Sequence, residues 1–216
     1  MNMRHLLAAA ALSIPSSLAA QVIFDATYSV QQHGKDIGTE HVVLRNSTSA
    51  GTTGVRLDFE GTFPSTQETL RGSLVRGSDG TLDQLQLEVR RGNAVETIRA
   101  AQRGNRIFIT VSSDQGSRGG KEIPGGPGVV MLDEQLQALL LLIADLATPG
   151  GTRVTGVYPR TGKRANITVR RVEGGPRGAV VELTGDLNGR MQLDAQGRVD
   201  RMDLPQSAIV VTRLPS

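Results

Sequence analysis

A chain of 216 residues with a formal charge of +3 and no cysteine can close a core without disulfides, because a domain of this size buries about 70% of its unfolded surface. The charge is too small to demand an acidic partner. Beyond position 20 the aromatic residues are Phe24, Tyr28, Phe59, Phe63, Phe108 and Tyr158, with no tryptophan. This scarcity counts against stacking platforms for single-stranded nucleic acid, aromatic-girdled outer-membrane barrels and ring-lined sugar sites.

Residues 1–20 read as an export signal. Arg4 and His5 precede the apolar Leu6–Leu12, and Ser17-Leu18-Ala19-Ala20 supplies small residues for cleavage. That apolar run falls short of the roughly 20 residues a bilayer span needs, and no cysteine follows to carry a lipid. The expectation is a soluble periplasmic or secreted protein, not a lipoprotein, with one β-rich domain over 21–216.

The following residues read as a procession of antiparallel strands: 22–32, 37–46, 55–63, 66–76, 82–90, 94–102 and 106–112. In Leu82–Arg90, Leu85, Leu87 and Val89 face one way and Gln84, Gln86 and Glu88 the other, the period of a half-buried strand. Ser78-Asp79-Gly80 favours a tight hairpin turn. The stretch "DQGSRGGKEIPGGPG" (114–128) holds six glycines and two prolines and is expected to be a long loop, mobile or acting as a lid.

"LDEQLQALLLLIADL" predicts the chain's one α-helix, over about 132–147. At about 100° per residue, Leu132, Leu136, Leu139, Leu140, Leu142, Ile143 and Leu146 share an arc, and only Leu141 intrudes on the polar side. Asp133 is placed to cap its start and Thr148-Pro149-Gly150-Gly151 stops it. Fifteen residues rise about 22 Å against a hydrocarbon core of about 30 Å, so the segment is no membrane span. It carries no Lys or Arg, which a surface-lying lipid anchor would want. The remaining reading is a helix packed into a sheet. Strands then resume at 152–158, 163–172, 178–186, 190–194, 198–204 and 208–213. The fold class expected is mostly β: a curled antiparallel sheet, half-barrel or open barrel with one core-packed helix.

No recognisable catalytic signature stands in the chain. His33 and His41 stand alone, so neither metal nor cofactor is expected, and no G-x-S-x-G elbow exists. Gly162-Lys163-Arg164 lacks the Ser or Thr of a phosphate loop. Two sets of residues are candidates for binding. Leu136, Leu139, Leu140 and Ile143 would line an apolar cleft between helix and sheet for a lipid-like ligand. Lys163, Arg164, Arg170 and Arg171, in the uneven stretch Arg153–Arg177 opposed by Glu173 alone, would meet an anionic polymer or lipid headgroup of the envelope. A hydrolase with an unrecognised site is the third reading.

"LDEQLQALLLLIADL", "GGTRVTGVYPRTGKRANITVRRV" and "MQLDAQGRVDRMDLP" together resemble a group of uncharacterised exported bacterial envelope domains. The group has curled antiparallel sheets with one helix, loosely similar to periplasmic lipoprotein-carrier half-barrels. The likeness spans roughly 130–213 and is a pattern of elements. It implies fold and compartment and transfers no functional residue.

Overall fold

The computed structural model describes residues 21–49, 52–172 and 178–215; the expected export signal, Glu173 and Arg177 lie outside them. Within the described residues fifteen strands form one sheet. The first eight are β1 (Val22–Gln32), β2 (Lys35–Ser49), β3 (Thr52–Phe63), β4 (Glu68–Gly77), β5 (Leu82–Arg91), β6 (Ala94–Arg103), β7 (Arg106–Ser113) and β8 (Gly116–Pro124). After β9 (Val129–Met131) and a helix (Gln137–Leu146) come β10 (Thr152–Val157), β11 (Arg164–Val172), β12 (Val180–Gly185), β13 (Gly189–Leu193), β14 (Val199–Leu204) and β15 (Ile209–Arg213).

The strand order is two meanders joined at one ladder. β1 to β8 run outward in sequence, β15 to β9 run outward the other way, and β1 pairs antiparallel with β15. The edges of the sheet are therefore β8 and β9, which are neighbours in the chain. Residues 125–128 carry the backbone across this seam, and Lys121 Nζ on β8 donates to the Thr161 carbonyl beyond β10 at 3.4 Å. All ladders are antiparallel except β9 on β10. The curled antiparallel sheet expected from the alternating pattern is thus the fold.

Inward residues of both meanders form a single core around the helix. Leu85, Leu87 and Val89 are buried as the alternation required. Two glycines make room for the helical segment, one on each half. At Gly61 a Cβ would stand 3.1 Å from a Leu136 methyl and 2.9 Å from the Phe63 ring; at Gly156 it would stand 2.5 Å from a Leu132 methyl. Tyr28 ties β1 across the interior, its hydroxyl donating to the Val199 carbonyl at 2.7 Å.

Two expectations change. The glycine-rich stretch is not a long loop: its first part is β8, in register with β7 through Ile107 opposite Ile123 and Ile109 opposite Lys121. Glycines carry no β propensity, but Ile123 is buried and the apolar side of β7 gives it a partner. The helix is shorter than 132–147 and wound as 3₁₀ over Gln137–Leu146. Such runs are usually a turn or so long. Here Gln137, Ala138, Leu139, Leu140, Leu142, Ile143 and Ala144 are buried while Asp145 reaches the surface, so packing around most of the circumference favours the thinner cylinder. At about 2.0 Å per residue, ten residues reach roughly 20 Å, against about 15 Å for an α-helix. The segment is a plug stretched along the interior.

Candidate functional site

The cleft-lining candidates lie on the plug. Leu136, Leu139, Leu140 and Ile143 are 1%, 2%, 4% and 0% exposed, so the side chains expected to line a cleft fill it. A cavity of about 20 Å³ remains beside Leu139, Leu142 and Ile143, bounded by Leu74 and Val130. Another of about 30 Å³ lies between Leu141, Phe24, Leu44 and Leu57. Ligand sites run from about 300 Å³ upward, so these are packing gaps.

The basic candidates do not form one patch. Arg164 and Arg170 both point outward from β11, but six residues apart they stand about 20 Å from each other. Arg170 is paired with Glu182 of β12 at 2.7 Å, and Glu182 also faces Arg190 of β13, which faces Asp203 of β14. The outer face is a ladder of alternating charge. Lys163 sits 5.6 Å from the centre of the Tyr158 ring, and Arg171 lies on the alternate side of its strand, opposite Val181. Arg164 is exposed and faces Val157. The other meander carries similar cross-strand pairs, with His41 hydrogen-bonded to Asp25 at 2.9 Å and Arg71 on Glu88 at 2.9 Å.

The residues most worth attention were not anticipated. They hold the plug at both ends. At its start, Glu40 of β2, 1% exposed, points inward between Tyr28 of β1 and Gly61 of β3, its cross-strand neighbours. Its carboxyl accepts the Gln137 N–H at 2.8 Å and also the Ala138 N–H, two donors that a helix start leaves without internal partners. Burial pushes the Glu40 carboxyl up to about 8, against the lowering effect of these N–H groups.

Asp133, expected to cap the helix, caps the turn before it: its Oδ1 accepts the Gln135 and Leu136 N–H groups at 2.9 and 3.2 Å. Burial raises its pKa, and the Arg160 guanidinium works against that rise. Arg160, from the turn between β10 and β11, is shared. It reaches Glu68 of β4 at 3.4 Å, Glu96 of β6 at 3.4 Å and Asp133 at 3.7 Å, and Arg91 also bonds Glu68 at 2.6 Å. Burial alone would lower the Arg160 pKa, but the three carboxylates outweigh it.

At the plug's other end Arg76 of β4, its side chain 11% exposed, donates to the Leu142 carbonyl at 2.8 Å and pairs with Asp145 at 3.3 Å. A cation there also meets the negative end of the helix dipole. The sequence signal for these residues was faint but present. Glu40, Glu68 and Arg76 occupy inward positions of their strands, where apolar residues belong, and a charged residue there needs a partner.

Among the described residues, no group of three or more His, Asp or Glu side chains is placed to hold a metal ion, and no helix is long and apolar enough to cross a membrane. No protein-family model and no curated protein sequence matches the chain. Its fold is similar to two solved structures. One is a β-barrel-like protein of the domain of unknown function DUF1849 from Brucella abortus, with 11% identity, TM-score 0.47, and 88% of this chain and 94% of that one covered. The other is a DUF1089 family protein from Pseudomonas aeruginosa, with 13% identity, TM-score 0.43, and 94% and 98% covered.

Proposed function

We propose that this chain is an exported, non-catalytic envelope module whose curled sheet receives an apolar, lipid-like ligand in the space now taken by its own plug. One observation carries the reading: the centre of the core is a single continuous segment, mostly apolar with Asp145 facing out, attached to the sheet by a few polar contacts toward its two ends. If Gln137–Leu146 swings out, the inward aliphatic residues of both meanders are left facing an empty channel. An acyl chain matches such a lining better than a polar solute does, because the walls offer dispersion and burial but few hydrogen bonds.

Native mass spectrometry after gentle purification, paired with uptake of a fluorescent fatty acid, tests this. A lipid adduct or saturable uptake supports it, and a bare protein mass with no uptake overturns it. The basic-face reading has weaker support, because Arg170 is paired with Glu182 and the candidates are spread along β11 and its turn rather than gathered in one patch. It requires vesicle binding that weakens with salt and that disappears when Arg164 and Arg170 are reversed in charge. A hydrolase would show turnover across a panel of esters, glycosides and peptides.

A further inference from the structure

The end of the interior where the plug begins is crowded with acids. Glu40 lies under the first turn of the plug, with Tyr28 beside it on β1 and Asp133 beside it on the incoming segment. Glu68, Glu96 and Arg91 line the same end of the first meander, and Tyr158 of the second meander faces Asp133. The cations here are Arg160 and Arg91, and their contacts go to Glu68, Glu96 and Asp133. Among the described residues, Glu40 has backbone N–H groups for partners and no guanidinium. It is therefore the one carboxyl of the cluster that must either remain neutral or hold a buried charge on hydrogen bonds alone.

We propose that Glu40 is a proton-controlled latch: in its neutral form it keeps the plug seated, and in its anionic form it favours release of Gln137–Leu146. The geometry supplies the coupling. The groups that exclude water from Glu40 include the plug's own first residues, so an outward swing of the plug hydrates the carboxyl and lets it ionise. The attachment toward the other end is the Arg76 guanidinium donating to the Leu142 carbonyl, a group that keeps its proton in proteins, and the plug would hinge about it. This inference concerns the plug alone. It does not require that a lipid enters.

The sign follows from linkage. A carboxyl held at about 8 when buried and near its ordinary 4.5 when hydrated binds its proton more tightly in the closed state. The closed state is then fully favoured below about 4.5. It loses ground by up to about tenfold per pH unit as the pH rises, and the effect levels off above about 8.

Hydrogen exchange of the ligand-free mature chain, with rates corrected for intrinsic exchange at each pH, reads this opening at the plug amides. Wild-type protection over 137–146 is expected to fall as pH rises from 5 to 9, while that of β2–β4 changes little. Glu40→Gln, which keeps an acceptor for the Gln137 N–H but cannot ionise, should flatten the profile. Plug protection that is constant with pH, or a Glu40→Gln profile as steep as wild type, overturns the proposal. Should the variant not fold, ¹³C titration of the wild-type carboxyls decides. A glutamate titrating above pH 7 together with plug exchange supports the latch, and all glutamates titrating below pH 6 defeat it. Lipid uptake is not among these readouts, so the ligand reading and the latch can fail separately.

Discussion

Arg160 is the residue on which most of the buried charge depends. Glu68 and Asp133 are almost wholly enclosed, and a buried carboxylate without its partner is costly. Arg160→Met should therefore lower stability by about 3 kcal/mol near neutral pH. That loss should shrink at acid pH, as the Asp133 carboxyl, already pushed up by burial and no longer held down by the guanidinium, takes up a proton. Urea unfolding at both pH values measures it, and an equal loss at both would show that the guanidinium acts through packing alone. Tyr28→Phe removes a buried donor from the Val199 carbonyl and should cost about 1–2 kcal/mol, read the same way. None of these partnerships was legible in the chain itself. Glu40, Glu68, Asp133 and Arg160 lie far apart in sequence, and what makes them a cluster is the register of β2 to β6 and the return of β10. Asp133 alone announced itself, as a helix cap. It is a cap, but of the preceding turn, because Glu40 already holds the first N–H of the plug.

The plug and β8 are the two elements whose form depended on their surroundings. Leu139→Ala should cost about 2–5 kcal/mol, since a fully enclosed leucine leaves a hole that close neighbours on two meanders cannot collapse. A melting temperature equal to wild type would contradict its burial. The apolar arc that predicted a helix also predicted its burial, and both hold. The winding was beyond reach of the sequence: an arc drawn at 100° per residue presumes an α-helix, whereas packing around most of the circumference favours a slimmer one. β8 shows the reverse error. Its glycines hid a strand whose inward side is supplied chiefly by Ile123, against Ile107 and Ile109 of β7. Its amides at Lys121 and Ile123 should exchange more slowly than those of the turn at 114–115, yet faster than those of the central β3, because an edge strand is held from one side. Equal exchange at 114–115 and at 121–123 would return this stretch to a loop.

At the scale of the molecule, the pairing of β1 with β15 turns two meanders into one sheet, and the plug touches both. One core shared in this way should unfold as one unit, so far-ultraviolet dichroism and the near-ultraviolet signal of Tyr28 and Tyr158 should give superimposable urea transitions. Two separated transitions would mean that the meanders are independent. The outer charge ladders add little to this cooperativity. Arg170→Ala, which removes an exposed partner of Glu182, should change stability by no more than about 1 kcal/mol. The sequence by itself determined that the chain is an alternating β protein with one greasy segment at its centre, because the period of two along a strand and the burial of leucine are local and additive consequences of composition. Only the tertiary structure decided that the greasy segment occupies the cleft it was expected to line, that Arg170 is drawn into an ion pair while the other basic candidates are scattered, and that Glu40 and Arg76 fasten the plug. Those outcomes depend on which strands meet, and pairing across more than a hundred residues of chain is set by the closing of the whole sheet rather than by any stretch within it.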